Sequence, residues 1–377
     1  MLMKRILSGI ADYIRECDKL LLILCSAATM FGCIAILSAG SLRQFIVQFV
    51  GFLLGLVAAV IISRIDISFY KRIWPIIALV GLVPVVLTFY IGFAPNGTDD
   101  KAWLMFPGNI TFQPSELLKI MFIITFSLHI TAVKQNINKI YNVLLLLLHG
   151  GFPVVLIHLQ GDDGTAIVFL IMFISMLFVA GLKIGYFITG IVGVLVAVPI
   201  FYLYILNADQ KGRILSLFNL EADLLGTGWQ QWRGRVAFAN GGFFGKGLFN
   251  GDLVQSGGIP EGYNDFIIAS IGEELGFIGA LLVLLLLLGI CIKTLHVGHI
   301  SKSETGSLIC TGVFAMLMAQ IIINVGMCVS LLPVIGVTLP FFSAGGTSLT
   351  CLYCGVGLVL SVYMNRHSRT LYLRDDY

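Results

Sequence analysis

Apolar residues fall along this chain in long runs separated by short polar segments, and most runs are of similar length. Measured against the roughly 20 residues that a helix needs to cross a bilayer, they predict spans near 19–40, 45–63, 74–93, 115–133, 140–158, 164–181, 184–206, 265–292, 306–332 and 348–365. The expected fold is all-α: one polytopic membrane domain over residues 1–377 with about ten transmembrane helices. A single long polar stretch, 207–264, interrupts the series between the seventh and eighth spans.

Composition closes off the soluble alternatives. The chain is 58% hydrophobic and 11% charged, with mean hydropathy +0.97, outside the range of a soluble globular protein. Lys and Arg, which prefer short cytoplasmic segments, set the orientation. Fifteen of the 23, from Lys4 and Arg5 through Arg64, Lys71, Lys134, Lys183 and Lys293 to Arg374, fall on one side of the ten-span arrangement. The short segments of the other side hold only Arg43 and Lys101. Both the N-terminal segment 1–18 and the tail 366–377 are thereby cytoplasmic, and 207–264 is extracytoplasmic. The first apolar run starts late and lacks a small-residue cleavage site, so it reads as a retained span. The eight cysteines lie in spans or toward the cytoplasmic side, which argues against a disulfide framework. Cys351 and Cys354 form a CxxC, but inside an apolar helix without further ligands it reads as packing sulfur.

With so few charges, those at or inside spans are the functional candidates. Asp265 stands where the polar stretch from Gly258 to Asn264 meets a strongly apolar run; an acid there is costly to keep, although a first-turn acid is also favoured by the helix dipole alone. Glu273 and Glu274 follow about two turns on. By helical angle Glu273 is the better candidate to share a cavity with Asp265, since 274 lies nearly opposite. Pro114 suits a helix start that Thr111 or Gln113 caps. Glu116 and Lys119 are one turn apart and pair on one face, either fixing helix packing or shaping a polar cavity. Gln160 to Thr165 forms an acidic turn in which Asp162 caps the sixth helix and is also placed to bind. In the long loop Lys211, Arg213, Arg233, Arg235 and Lys246 lie near glycines 241, 242, 245 and 247, a combination suited to phosphate oxygens or simply to solvent. Pro333 to Ser348 carries two prolines, paired glycines and hydroxyls, which predicts non-helical backbone at membrane depth, covered by protein or lining a wet cavity.

Together these segments resemble the RodA/FtsW/SpoVE family, the SEDS proteins of shape, elongation, division and sporulation. The resemblance rests on Phe112-Gln113-Pro114-Ser115-Glu116-Leu117-Leu118-Lys119, Gln160 to Thr165, Gly241 to Leu248, Pro260-Glu261 with Asp265-Phe266, Gly272-Glu273-Glu274-Leu275-Gly276, and Asn324 through Ser348, which occur in family order. It implies a peptidoglycan glycosyltransferase that polymerises lipid II at the outer face of the bacterial cytoplasmic membrane. Asp265 would be the catalytic general base for an inverting transfer. Trp103, Glu116, Lys119, Asp162 and Ser343 fall at other motif positions, Trp103 as a boundary aromatic in reach of lipid or headgroup; Lys246 and Glu273 join them as cavity or substrate candidates. The implied partner is a class B penicillin-binding protein, with no nucleic acid. The sequence requires no cofactor, leaves room for Mg or Mn at the departing pyrophosphate, and names no metal ligands. The short tails point to a RodA-like member. Departures from the family patterns, Lys101-Ala102-Trp103, Gln160-Gly161-Asp162, Tyr263-Asn264-Asp265-Phe266 and Ser343-Ala344-Gly345-Gly346-Thr347-Ser348, bear on headgroup recognition, rate and partner choice. A lipid-linked precursor transporter and a non-catalytic scaffold are the competing expectations; no inverted repeat is evident to favour the transporter.

Overall fold

The computed structural model describes residues 13, 15–94, 100–107, 110–204, 211–212 and 228–367. Most of the expected N-terminal segment and tail, and Arg213, lie outside the described residues. The helices are α1 (Lys19–Ala39), α2 (Leu42–Ser63), α3 (Ile67–Ile91), α4 (Pro114–Val133), α5 (Ile140–His158), α6 (Asp163–Val179), α7 (Ile184–Tyr204), α8 (Gly228–Gly241), α9 (Asp252–Gln255), α10 (Ile267–Ile300), α11 (Glu304–Cys328) and α12 (Gly346–Met364). A small antiparallel hairpin, β1 (Leu104–Phe106) and β2 (Ile110–Phe112), sits before α4.

Among the described residues nine helices are long and apolar enough to cross a membrane, and α6, at 17 residues, covers about 25 Å at ordinary helical rise. The ten predicted spans thus coincide with ten helices. The polar residues between the runs act as caps. Asp18 accepts from Leu21 N at 3.1 Å, Asp66 from Ser68 N at 2.7 Å and Asp162 from Thr165 N at 2.9 Å, and Ser41 with Gln44 completes a capping box, each satisfying donors that a helix start leaves unpaired. All eight cysteines are free thiols.

Bilayer lipid supplies no hydrophobic drive between helices, so close packing of small residues has to hold them. On the α2 and α12 pair, a side chain at Gly51 would collide with the Gly346 backbone, and one at Gly357 would lie 2.9 Å from Ala59 Cα. The most enclosed long helices are α11, α12 and α4; they form the interior against which the polar groups at one end of the bundle are set.

Residues 228–264 of the long loop are held by helix and hydrogen bonds rather than left as flexible, glycine-rich chain. Gln231, Gly234, Ala237 and Gly241 give α8 a buried face of mostly small residues, and a Cβ at Gly234 would touch the Phe266 ring at 3.0 Å. The segment after α8 then enters a break in α10. Gly276 has φ 66° and ψ −164°, and the groups freed by the break find partners in the loop. Lys246 N donates to Glu273 O at 3.0 Å and Gly247 N to Glu274 O at 2.8 Å, while Phe277 N donates to Gly242 O at 2.9 Å. Irregular backbone at membrane depth is tolerated where protein completes its hydrogen bonds. Gly276→Ala is therefore expected to destabilise the protein by about 1–3 kcal/mol from the glycine-only backbone conformation, with more from the collision of the new Cβ with Phe243 O at 2.6 Å. Thermal melting of the purified variant checks this; an unchanged midpoint would show that the break can close.

Candidate active site

Asp265 lies in the turn before α10, not on it, because Phe266 occupies the N-cap position. The residue is partly buried, but its Oδ1 is sealed from solvent with no hydrogen-bond partner. What the fold grips is the backbone. The Asp265 carbonyl accepts from Asn324 Nδ2 at 2.8 Å and from Cys328 Sγ at 3.4 Å, both on α11. The segment from Val329 to Gly345 lies over this turn as irregular chain, as its prolines and glycines predict. Ser343 Oγ donates to Asn264 O at 2.8 Å and accepts from Leu339 N at 2.7 Å, and Ala344 N donates to Tyr263 O at 3.0 Å. Gln48, fully buried on α2, donates from Nε2 to Ser343 O at 3.0 Å and accepts from Gly345 N at 2.9 Å. Glu261 and Phe341 hold left-handed backbone at φ 49° and 68°, strain of the kind that gathers at functional sites.

Beneath this cover Glu116, Gln320, Thr338, Ser343 and Ser348 line a cavity of about 20 Å³, room on the order of one water molecule. The Lys119 Nζ lies 2.9 Å from Glu116 Oε1, with side chains only 2% and 12% exposed. Asp162, at the α6 N-terminus, accepts from Gln113 Nε2 at 2.7 Å. Gln113 therefore spans α4 to α6; it stands at the N-cap of α4 but makes no side-chain cap there, which corrects the expectation of capping. Lys119, Glu116 and Asp162 act electrostatically on one another, and Asp162 acts on Asp265. The structure therefore brings Glu116 and Ser343 to one cavity, with Lys119, Asp162 and Asp265 close by.

Burial is the main reason that the Asp265 carboxyl is pushed up to about 7, and the nearby charges of Glu261 and Asp162 add to it. Burial also raises Asp162, against the pull of its hydrogen bonds from Thr165 and the charge of Lys119. A carboxyl raised by burial and by a neighbouring carboxylate makes a site able to exchange a proton at neutral pH.

Other candidates go elsewhere. Glu273 is fully buried, yet its carboxylate accepts from Asn240 Nδ2 at 3.2 Å, Leu253 N at 3.1 Å and Val254 N at 2.8 Å. It anchors the loop to α10 and does not share the Asp265 cavity as the helical angle suggested. Glu274 binds Ser38 Oγ at 2.6 Å and Gln255 Nε2 at 3.0 Å. The Lys246 ammonium pairs with Asp252. Arg233 donates to Gly258 O at 2.6 Å and covers the Trp229 ring at 5.1 Å, so it serves the loop, while Arg235 is exposed. Lys211 lies 5.7 Å from the Tyr202 ring centroid. Trp103 pairs through its backbone with Phe93 beside the β-hairpin, half-buried at the same end. Among the described residues no three His, Cys, Asp or Glu side chains converge on one point, so the donor set is not a protein cage for a metal and no step is assigned to one. Sequence reading gave no role to Asn324 or Gln48; the signal for both was a carboxamide inside an apolar run.

The FtsW/RodA/SpoVE cell cycle protein profile matches residues 18–368. The chain is 31% identical over 369 residues to a probable peptidoglycan glycosyltransferase FtsW of Trichlorobacter lovleyi, covering 92% of this chain and 93% of that one. It is likewise 31% identical over 316 residues to the peptidoglycan glycosyltransferase MrdB of Escherichia coli, covering 83% and 84%. A solved chain from a peptidoglycan synthase complex, described as coordinating polymerization and crosslinking, superposes with TM-score 0.81 at 26% identity, covering 93% of this chain and 99% of that one. The rod shape determining protein RodA of Thermus thermophilus shares the fold at TM-score 0.66 and 24% identity, with 93% and 98% covered.

Proposed function

This chain belongs to the FtsW/RodA/SpoVE family of cell cycle proteins, and on that premise we propose that it is a peptidoglycan glycosyltransferase polymerising lipid II, with Asp265 as its general base. The observation that carries the assignment is a carboxyl beside the cavity that Glu116 and Ser343 line, whose backbone is clamped while Oδ1 remains unpartnered. The Asp265 end of the bundle faces the outside of the cytoplasmic membrane in this reading, which the distribution of Lys and Arg supports. Both termini are then cytoplasmic.

In this reading the ionised Asp265 takes the proton from the acceptor GlcNAc 4-hydroxyl as that oxygen forms its bond to the donor MurNAc anomeric carbon. The bond from that carbon to undecaprenyl pyrophosphate breaks, and the α-linked donor becomes a β-1,4-linked product. Lys119 and Glu116 hold the cleft wall, and Asp162, fixed by Gln113 and Thr165, supplies negative charge that keeps Asp265 basic. A cavity of about 20 Å³ holds no disaccharide, so part of its lining must move to admit substrate. A bound Mg or Mn would supply positive charge to the departing pyrophosphate; dependence of the rate on either added ion tests that. The expected partner is a class B penicillin-binding protein, which crosslinks the strands made here.

The test is polymerisation of labelled lipid II by the purified protein with that partner, read as glycan strands on a gel. A rise of rate with pH is expected, with the limb centred near 7, because only ionised Asp265 accepts a proton and its carboxyl ionises about there. An ordinary exposed carboxylate would leave the rate flat down to about pH 5. A flat profile over that range would show that the Asp265 carboxyl is not raised in the working enzyme, and absence of strands with an active control enzyme would favour transport or scaffolding.

A further inference from the structure

A general base needs a lone pair left free for substrate, and Asp265 Oδ1 has no hydrogen-bond partner. The grip on this residue comes through its main chain. At Asp265 that grip comes from α11, where Asn324 and Cys328, four residues apart, both donate to the Asp265 carbonyl at 2.8 and 3.4 Å. Asn324 is fully buried, and the second N–H of the same amide donates to Val337 O at 2.7 Å. Both acceptors are carbonyls, so the amide can present only its nitrogen to them. Val337 follows Gly336, where an added Cβ would lie 3.7 Å from Asp265 Oδ2. One side chain therefore touches both the turn that carries the acid and the segment that covers it.

We propose that Asn324 is the positioning residue of the general base, its two N–H groups setting the separation between the Asp265 turn and the covering segment so that the carboxylate is held while its oxygens stay free for substrate. The inference rests on the reading of Asp265 as base. Cys328 is the weaker of the two donors, and its Sγ lies 4.0 Å from Asn324 Oδ1. Glu261 on its own turn and Asp162 at the α6 N-terminus act on Asp265, and Asp265 acts in turn on Tyr263 beside it and Cys328 on α11; Gly336 and Val337 of the cover bring no charge. Loosening the cover admits water to a carboxyl whose proton affinity comes mainly from burial.

The experiment compares wild type, Asn324→Leu, Asn324→Gln and Asp265→Asn, each purified with the transpeptidase partner, on lipid II across pH. Asn324→Leu keeps the branching and heavy-atom count of the side chain, with the larger bulk of two methyl groups, and removes both donors. It should lower kcat about 100-fold, as about 1 Å of misplacement does, with KM within about 3-fold and the pH limb moved toward the range of an exposed carboxylate. Asn324→Gln keeps the amide on a longer stem and should lie between, with its limb moved the same way. A merely structural role would lower the folded fraction, measured by melting and by partner binding, without moving the limb of the remaining enzyme. Either Asn324 variant, folded and with wild-type kcat and limb, overturns the inference, so failure of one to fold leaves the other to decide. If Asp265→Asn is as active as wild type, the base reading itself falls; if it is inactive while the Asn324 variants match wild type, only the positioning role falls.

Discussion

Asp265→Asn should lower the rate of lipid II polymerisation by about 10²–10⁴-fold, the usual worth of a positioned general base, while leaving the protein folded and bound to its partner. The substitution keeps the shape of the side chain and every backbone contact, including the Asn324 and Cys328 bonds to the carbonyl. Stability moves the other way from activity. The unfolded acid ionises near 3.9 and the folded one near 7, so the folded protein binds more protons between those values and loses stability as pH rises through them. Above about pH 7 that loss is complete, and the neutral amide removes it. The variant should therefore melt at or above the wild-type temperature at pH 8 while making no strands. A variant that is both inactive and markedly less stable would mean that the carboxylate holds the fold; one that is fully active would place the base elsewhere.

Lys119→Met should be the most destabilising single change in the cleft. Removing one partner of a buried ion pair costs about 3–5 kcal/mol, because the other charge is left without compensation. Here the orphan would be Glu116, 12% exposed, with Asp162 close enough to feel its charge. Asn240 and other loop donors are committed to Glu273, and the pair has its own geometry at 2.9 Å. The double variant Lys119→Met with Glu116→Gln removes both charges and should recover most of the lost stability, the coupling being read from the four melting curves. Its activity separates the two roles that sequence spacing leaves open. Recovery of both stability and polymerisation would make the pair a packing device. Recovery of stability alone would assign it to the substrate.

The spans, their caps and the acid at a helix boundary were legible along the chain. Each depends on local quantities: mean hydropathy over about twenty residues or one side chain two or three residues from an unpaired N–H. Asp162 was read as a helix start on that basis, whereas Asp18 and Asp66 cap starts that the hydropathy pattern alone did not name. The irregular segment before α12 was legible for the same reason, since two prolines and paired glycines cannot continue a helix. Glu273 shows where local reasoning stops. A helical angle between positions 265 and 273 assumes that both lie on one regular helix, but Asp265 precedes the N-cap, and the loop returns to cover Glu273 from Asn240, Leu253 and Val254. The break at Gly276 went unread because its signal, one glycine in an apolar run, is common in membrane helices.

By itself the sequence determined a multi-pass bundle with an acid at its rim, because apolar length and charge placement act residue by residue and require no knowledge of neighbours. Only the tertiary structure decided which polar groups share that rim. Asn324 meets Asp265 across 59 residues and Gln48 meets Ser343 across 295. Contacts at such separation depend on helix order, crossing and side-chain direction together, and no local pattern carries that information.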